Sequence, residues 1–217
     1  MHWIDTYKLT LAHHRLHIDG VMAPWRATPN VGAAIRPEIL VLHETAGRLD
    51  ADSSISWLCN PAAKASAHIV VDRDGRATQL AAFNMSTWHA GKSAYKGREG
   101  VNAFSIGIEM VGPGLMVAGK PGQARAWFGQ EFPIDHYQIE LKRTPEHGNG
   151  WWMPFTDVQV RMTAAICRAL VGAYGLRDIT THWAISPKRK VDPNPLFPLD
   201  LIRKLALGEA AGPMGRA

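Results

Sequence analysis

Short apolar runs separated by turn residues mark the strands of this chain. The run over residues 38–43 predicts a buried strand that ends at His43. The run over residues 67–71 leads into a glycine-containing turn, which predicts a hairpin whose return strand covers residues 77–80. A further strand is predicted over residues 105–111, where a Gly-Pro-Gly sequence stops it.

A helical period is clearest over residues 156–175. Thr156 and Gln159 have the spacing of a capping box, which marks the first turn of a helix. Apolar residues then recur every four positions and form one face, and Gly175 suits the position after the last turn. This segment is predicted to be a long helix packed on the core.

Two shorter helices are predicted on either side of these elements. Asp50 or Asp52 can cap a helix that runs to Cys59. A last helix is predicted over residues 198–207, with three residues facing inward: Leu201, Ile202 and Leu205. Strands that alternate with helices predict a single α/β domain.

The remaining segments divide the chain into parts. Prolines interrupt residues 1–36, which are interpreted as an irregular arm that packs on the domain of residues 37–207. Residues 112–155 form a Gly- and Pro-rich insertion that is longer than an ordinary loop. It is interpreted either as a lid loop or as the edge of a local subdomain. Residues 208–217 are expected to be a loose tail.

Composition narrows the class of protein. The chain has 217 residues, of which 46% are hydrophobic and 20% charged, as in ordinary folded domains. No apolar run is long enough to predict a membrane-spanning helix, so stable membrane insertion is not expected. Its two cysteines, Cys59 and Cys167, cannot make a disulfide framework and are expected to be reduced, buried thiols.

The charge and the N-terminal sequence bear on partners and location. The net charge of +5 suits an anionic partner or serves solubility alone, and the densest basic cluster is residues 188–190. No nucleic-acid-binding motif occurs, so no nucleic-acid partner is expected. The first twenty residues do not resemble a signal peptide, which predicts cytoplasmic synthesis.

Three residues carry the strongest candidate chemistry. His43 ends a predicted strand, His182 follows the long helix, and Asp192 lies ten positions later. Two imidazoles and one carboxylate would leave a tetrahedral zinc ion with one open position, as hydrolytic zinc sites require. The chain has ten histidines, so spacing alone leaves both a metal site and a chance grouping open. Glu109 can likewise be a salt-bridged strand residue, and Lys190 a solvated charge.

Five sequence strings, in order, resemble a known family. The chain is similar over residues 37–205 to the zinc-dependent N-acetylmuramoyl-L-alanine amidases, which share their fold with peptidoglycan recognition proteins. That fold has a central mixed β-sheet flanked by helices. The strings are Val41-Leu42-His43-Glu44-Thr45, Ser66-Ala67-His68, Trp88-His89-Ala90-Gly91, the segment from Asn102 to Glu109 and the segment from His182 to Pro193.

The resemblance implies roles for individual residues. It makes His43, His182 and Asp192 the ligands of one zinc ion. It makes Glu109 the catalytic base and Lys190 the group that helps stabilise the oxyanion.

Further residues around these positions are interpreted with the resemblance in view. Trp88 and His89 are expected to line the substrate cleft. His68 is expected to be a hydrogen-bonded core histidine, and Glu44 to point away from the site. Some relatives carry a tyrosine at the position of Ala67, and its absence here gives Glu109 more weight as the base.

The implied activity is hydrolysis of the amide between N-acetylmuramic acid and L-alanine, with peptidoglycan or a muropeptide as the partner. A phage-type endolysin is preferred, because a basic surface suits an anionic wall. Its release to the cell wall would depend on a separate membrane hole such as a holin. The alternatives are a cytosolic enzyme that recycles anhydro-muropeptides and a peptidoglycan-binding module without catalysis. The sequence does not fix the oligomeric state.

Overall fold

The structure, a computed structural model, describes residues 6–208. The tail predicted over residues 208–217 therefore lies, except for Gly208, outside the described residues. Within residues 6–208, no helix is both long and apolar enough to cross a membrane.

Strands outnumber helices in the described part of the chain. The strands are β1 Leu9–Ala12, β2 Arg15–Ile18, β3 Val21–Met22, β4 Val31–Ala34, β5 Ile39–Glu44, β6 Ile69–Val71, β7 Ala77–Gln79, β8 Met85–Thr87, β9 Ala94–Tyr95, β10 Arg98–Glu99, β11 Ser105–Met110, β12 Met116–Ala118, β13 Gln123–Ala126, β14 Glu131–Pro133, β15 Glu140–Thr144, β16 Gly148–Trp152 and β17 Asp178–Thr181. The α-helices are α1 Ala51–Leu58, α2 Ile134–Tyr137, α3 Asp157–Tyr174, α4 His182–Ile185 and α5 Leu199–Leu207.

A five-stranded mixed sheet forms the centre of the α/β fold. Its strand order is β17-β5-β11-β6-β7, and the first four strands are parallel while β7 returns antiparallel to β6. The predicted strands at β5 and β11 and the predicted hairpin of β6 and β7 are thereby confirmed. Helices α3 and α5 pack on one face of the sheet, and α1 packs on the other.

Strand register places the site on the face opposite α3. Ile39 and Val41 of β5 pack in a cluster separate from the α3 core, and His43 continues their alternation. On β11, Gly107 is the partner of Val41 and Glu109 is the partner of His43. Because paired residues of parallel strands point to the same face, His43 and Glu109 are neighbours at the carboxyl ends of two adjacent strands.

Gly107 leaves room on this face for the ring of His89. A Cβ atom at position 107 would approach His89 Cγ to 2.4 Å, which no native packing tolerates. We expect Gly107→Ala to displace this ring and to lower the free energy of unfolding by about 1–3 kcal/mol, the usual cost of overpacking. Urea denaturation would measure it, with Gly172→Ala, which meets no atom within 4 Å, as the control. Equal free energies of unfolding for Gly107→Ala and the parent protein would contradict the prediction.

The predicted helices are confirmed with one correction. Thr156 caps α3 by accepting from the Gln159 N–H at 3.2 Å, and Asp50 caps α1 by accepting from the Ser53 N–H at 2.8 Å. On α5, Ile202 is fully buried against α3, but Leu201 is 37% exposed. The prediction that Leu201 faces inward was wrong, because one side of this two-turn helix is covered by the core and Leu201 falls outside it.

The N-terminal arm is more regular than predicted. Strands β1, β2 and β3 form an antiparallel sheet, whose Leu16 is fully buried in the core cluster that includes α3. Both turns use positive φ angles: His13 and His14 in the first, Asp19 and Gly20 in the second. Asp-Gly is a strong signal for a two-residue hairpin turn, so the sequence did contain a clue to this sheet.

Of the two interpretations of residues 112–155, the structure agrees with the local subdomain and not with the lid loop. Strands β12 to β16 form an antiparallel sheet in the order β14-β13-β12-β16-β15. This insertion sheet has its own apolar cluster, which includes Met116, Phe132 and Met153. Strands of three to five residues, separated by glycines, carry too little alternation to be recognised singly.

The two cysteines are free thiols in different environments. Cys167 is fully buried in the core, and this burial raises the pKa of its thiol. Cys59 is only half-buried at the end of α1, where its thiol donates to the Arg26 carbonyl at 3.4 Å. The prediction of two buried thiols therefore holds for Cys167 alone.

Candidate metal centre

His43, His182 and Asp192 converge on one point. Each offers a ligand atom, and the three atoms lie within 4.8 Å of one another. His43 Nδ1 is 2.9 Å from His182 Nδ1 and 3.4 Å from Asp192 Oδ2, and His182 Nδ1 is 2.9 Å from the same oxygen. Ligands bound at 2.0–2.1 Å to a tetrahedral ion would lie about 3.3 Å apart, close to these separations.

A chain of hydrogen bonds behind His43 fixes its tautomer. The Ser105 hydroxyl donates to the Val101 carbonyl at 2.7 Å, so its oxygen is free to accept from His89 Nε2–H at 3.0 Å. His89 Nδ1 then accepts from His43 Nε2–H at 2.9 Å. Since the Val101 carbonyl can only accept, the chain runs in one direction and leaves His43 Nδ1 as a bare lone pair.

The second imidazole is oriented in the same way. His182 Nε2 lies 3.3 Å from the carbonyl of Ala90, which can only accept a hydrogen bond. When Nε2 carries the proton, Nδ1 turns a lone pair toward Asp192. The exposed Arg189 contacts the same region: its guanidinium donates to the Ala90 carbonyl at 2.7 Å and to the Ser186 hydroxyl at 2.6 Å, and it lies 3.4 Å from His182 Nε2.

Three acceptor atoms that face one another favour a bound cation. Burial and the neighbouring His182 lower the pKa of His43 to about 4, which disfavours a proton there. Burial alone would raise the pKa of Asp192, but the neighbouring imidazoles of His182 and His43 lower it to well below its usual range. One proton can link His182 to Asp192, whereas a divalent cation satisfies all three atoms at once. The donor set thus fits a small divalent metal ion.

The contact behind His43 yields a test of metal binding. His89→Leu removes the acceptor for His43 Nε2–H, so we expect zinc affinity to fall about 10–100-fold. His89→Asn keeps an acceptor near the Nδ1 position and should restore part of the loss. Competition with a chromophoric chelator would measure both variants. Unchanged affinity in His89→Leu would show that the contact does not orient His43.

Glu109 lies beside this cluster with an unsatisfied oxygen. Its Oε2 is buried and has no hydrogen-bond partner among the described residues. Burial is the main cause that raises the pKa of Glu109 to about 8. The negative charge of Asp192 adds to the rise, and the positive charge of Lys190 opposes it. Glu109 also lines a cavity of about 420 Å³. Glu109 is thus placed to exchange a proton with a molecule in that cavity.

The raised pKa predicts a pH-dependent stability difference. A carboxyl whose pKa is raised on folding favours the protonated folded form, so metal-free protein should lose stability as the pH rises from about 4.5 to about 8. Glu109→Gln lacks this loss and should be more stable than the parent above pH 8. Thermal melts in chelator across this range would measure it. A constant difference between the two proteins would argue against the raised pKa.

Lys190 and Glu44 have separate surroundings. The half-buried Lys190 adds a positive charge that lowers the pKa of both His43 and Glu109. The carboxylate of Glu44 instead accepts from the backbone N–H groups of Gly114, at 3.0 Å, and Asn194, at 3.1 Å. Glu44 therefore joins three segments around the centre, and strand alternation directs it to the opposite face from His43.

Two predicted cleft residues lie apart from the cavity at Glu109. His89 is only 7% exposed and contacts His43 from behind, and its place in a substrate cleft stays a prediction. Trp88 is exposed but does not line that cavity. His68 is a buried core histidine as predicted: its Nδ1 accepts from the Gly107 N–H at 3.0 Å, and its Nε2 donates to the Met85 carbonyl at 2.7 Å.

The insertion sheet braces the segment that follows Asp192. His147 Nε2 donates to the Pro193 carbonyl at 3.1 Å, and Lys142 Nζ donates to the Pro195 carbonyl at 3.3 Å. The Asn194 side chain donates in return to the Met153 carbonyl at 3.0 Å. Sequence reasoning missed this role of His147, and it also missed Ser105 and Arg189, since each acts through a backbone carbonyl that leaves no sequence signal.

Comparisons with known proteins identify the family of this chain. The family model described as N-acetylmuramoyl-L-alanine amidase matches residues 33–195. The 1,6-anhydro-N-acetylmuramyl-L-alanine amidase AmpD of Escherichia coli K12 is 32% identical over 136 residues, which are 62% of this chain and 54% of AmpD. The chain thus spans about half the length of the curated relatives it matches.

Solved structures share the fold. A selenomethionine derivative of AmpD matches with a TM-score of 0.57 at 25% identity, covering 85% of this chain and 94% of that one. The amidase AmiD of E. coli, in complex with anhydro-N-acetylmuramic acid-L-Ala-D-γ-Glu-L-Lys, matches with a TM-score of 0.58 at 24% identity, covering 91% of this chain and 65% of that one. Because the family model covers most of the sequence and includes all three converging residues, this chain belongs to the N-acetylmuramoyl-L-alanine amidase family.

Proposed function

We propose that this protein is a zinc-dependent amidase that hydrolyses the bond between N-acetylmuramic acid and L-alanine. The observation that carries the proposal is the convergence of three acceptor atoms next to a buried, unsatisfied carboxyl that faces a cavity. Family membership and the names of the relatives support the same reaction.

The proposed roles follow from the position of each group. His43, His182 and Asp192 would hold zinc, which when bound acidifies water and polarises a carbonyl group. Glu109 takes a proton from the attacking water and returns it to the leaving amine, since it lies beside His43 and lines the cavity. Lys190 stabilises the negative charge that develops on the amide oxygen.

The comparisons favour an anhydro-muropeptide as the substrate. AmpD is named for the 1,6-anhydro form of the sugar, and AmiD was solved with an anhydro-muramyl peptide. Endolysins also share the fold, but at 18% identity they support the architecture alone. We therefore place the recycling alternative ahead of the endolysin that the basic charge favoured.

Cleavage of defined substrates tests the proposal. Purified zinc-loaded protein would be incubated with anhydro-muropeptide and, separately, with intact sacculi, and the new N-terminal L-alanine would be quantified. We expect release from the anhydro-muropeptide, and slower or no release from sacculi. Binding without release would instead indicate a recognition module. Faster release from sacculi would restore the endolysin interpretation.

A further inference from the structure

The cavity beside Glu109 has an aromatic wall that the insertion sheet supplies. Trp127 and Phe128 lie in the turn between β13 and β14, and they line the cavity together with Trp57 of α1. Trp127 is 77% exposed and Trp57 is 58% exposed, so large apolar faces remain open to a ligand. The volume of about 420 Å³ is within the range of small-molecule sites.

The ring of Trp127 is held in place although it is exposed. Its Nε1–H donates to the Ala46 carbonyl at 2.6 Å, in the loop that directly follows His43 and Glu44. Phe128 contacts it edge to face, with ring centroids 5.7 Å apart. An exposed indole that is fixed at two points presents a preformed flat surface and loses little freedom when a ligand binds.

The chemistry of the lining suits a sugar better than a peptide. Arg48 and Glu109 are the two charged residues that line the cavity, and hydroxyl groups come from Thr45, Ser53 and Ser54. The peptide of an anhydro-muropeptide carries several charges, which would need more ionic partners than this lining offers. A pyranose ring presents apolar C–H faces to aromatic rings and its hydroxyls to polar side chains.

We propose that the cavity is a carbohydrate subsite in which Trp127 stacks against the muramyl ring of the substrate. This proposal rests on the proposed function, and it adds that the insertion selects for the sugar side of the scissile bond. Trp127 is thereby a specificity-determining residue supplied by the insertion sheet, while the centre itself is built by the central sheet.

Two substrates with the same peptide distinguish a contact of Trp127 with the sugar from a contact with the peptide. One carries N-acetylmuramic acid, and the other carries only the lactyl group in its place. In Trp127→Ala, we expect KM to rise about tenfold for the muramyl substrate and to stay unchanged for the lactyl substrate. Trp127→Phe should recover most of the loss. Leu141→Ala, on an exposed position of the same sheet outside the cavity, should leave both KM values unchanged.

Two other kinetic outcomes overturn the proposal. An equal rise of KM for both substrates would place the peptide in the cavity, and no rise for either would leave the cavity without a role in binding. Should the wild-type protein cleave neither substrate, the proposed function fails, and calorimetric titration with N-acetylmuramic acid then decides about the subsite. Binding that Trp127→Ala abolishes supports the subsite, and absent or unaltered binding overturns it.

Discussion

Replacing Glu109 by glutamine is expected to lower kcat for amide hydrolysis about 10²–10⁴-fold, the usual contribution of a general acid–base group. Glutamine keeps the size of the side chain but cannot accept and return a proton. Zinc content should remain as in the parent, since Glu109 is not one of the three converging residues. The measurement is steady-state kinetics on metal-loaded protein, together with metal analysis.

A matched control separates this loss from a general effect of charge. Glu99 is exposed, and Glu99→Gln should retain the activity of the parent. The proposed role would be refuted by a Glu109→Gln variant that cleaves at the normal rate. A loss of zinc along with activity would instead point to Glu109 as part of the metal site.

Removing Asp192 is expected to abolish stable metal binding. In Asp192→Ala two imidazoles remain, and zinc affinity should fall by more than the roughly 10–100-fold known for changes outside the ligand set. Activity at limiting zinc should fall in parallel. Excess zinc should restore some activity if the two histidines still bind it. Titration of metal-free protein with zinc, followed by an activity assay at each point, would measure both quantities.

The control for this change removes the same negative charge at a position outside the three converging residues. Asp135 is exposed on the insertion, and Asp135→Ala should bind zinc as the parent does. If Asp192→Ala bound zinc with undiminished affinity, the assignment of the ligands would be wrong. His182→Ala provides an independent check, because it removes the imidazole that contacts both other residues.

Local signals accounted for much of the central fold. The apolar run of β5 and the capping box of α3 each depend on residues close together in the chain, and both elements formed where predicted. The strands of the insertion sheet and of the N-terminal sheet were not predicted from such local patterns. Their strands are short, and their stability comes from packing partners that the sequence does not identify.

The candidate site was predicted through resemblance rather than through spacing. His43 and His182 are 139 positions apart, and only the parallel pairing of β5 with β17 brings them together. The chain of hydrogen bonds from His43 through His89 to Ser105 was not predicted, and it gives His89 a contact with His43 that the sequence did not indicate.

The sequence by itself determined the main strands and the long helix, because periodicity and capping act over a few residues. With the family resemblance, it also identified the residues that converge. Only the tertiary structure decided which nitrogen of each histidine faces the centre, since that depends on carbonyl groups brought from distant segments. Tertiary structure also decided that the insertion sheet contacts the segment after Asp192 and lines the cavity at Glu109. The position of a sheet depends on packing between distant segments, which local sequence patterns do not encode.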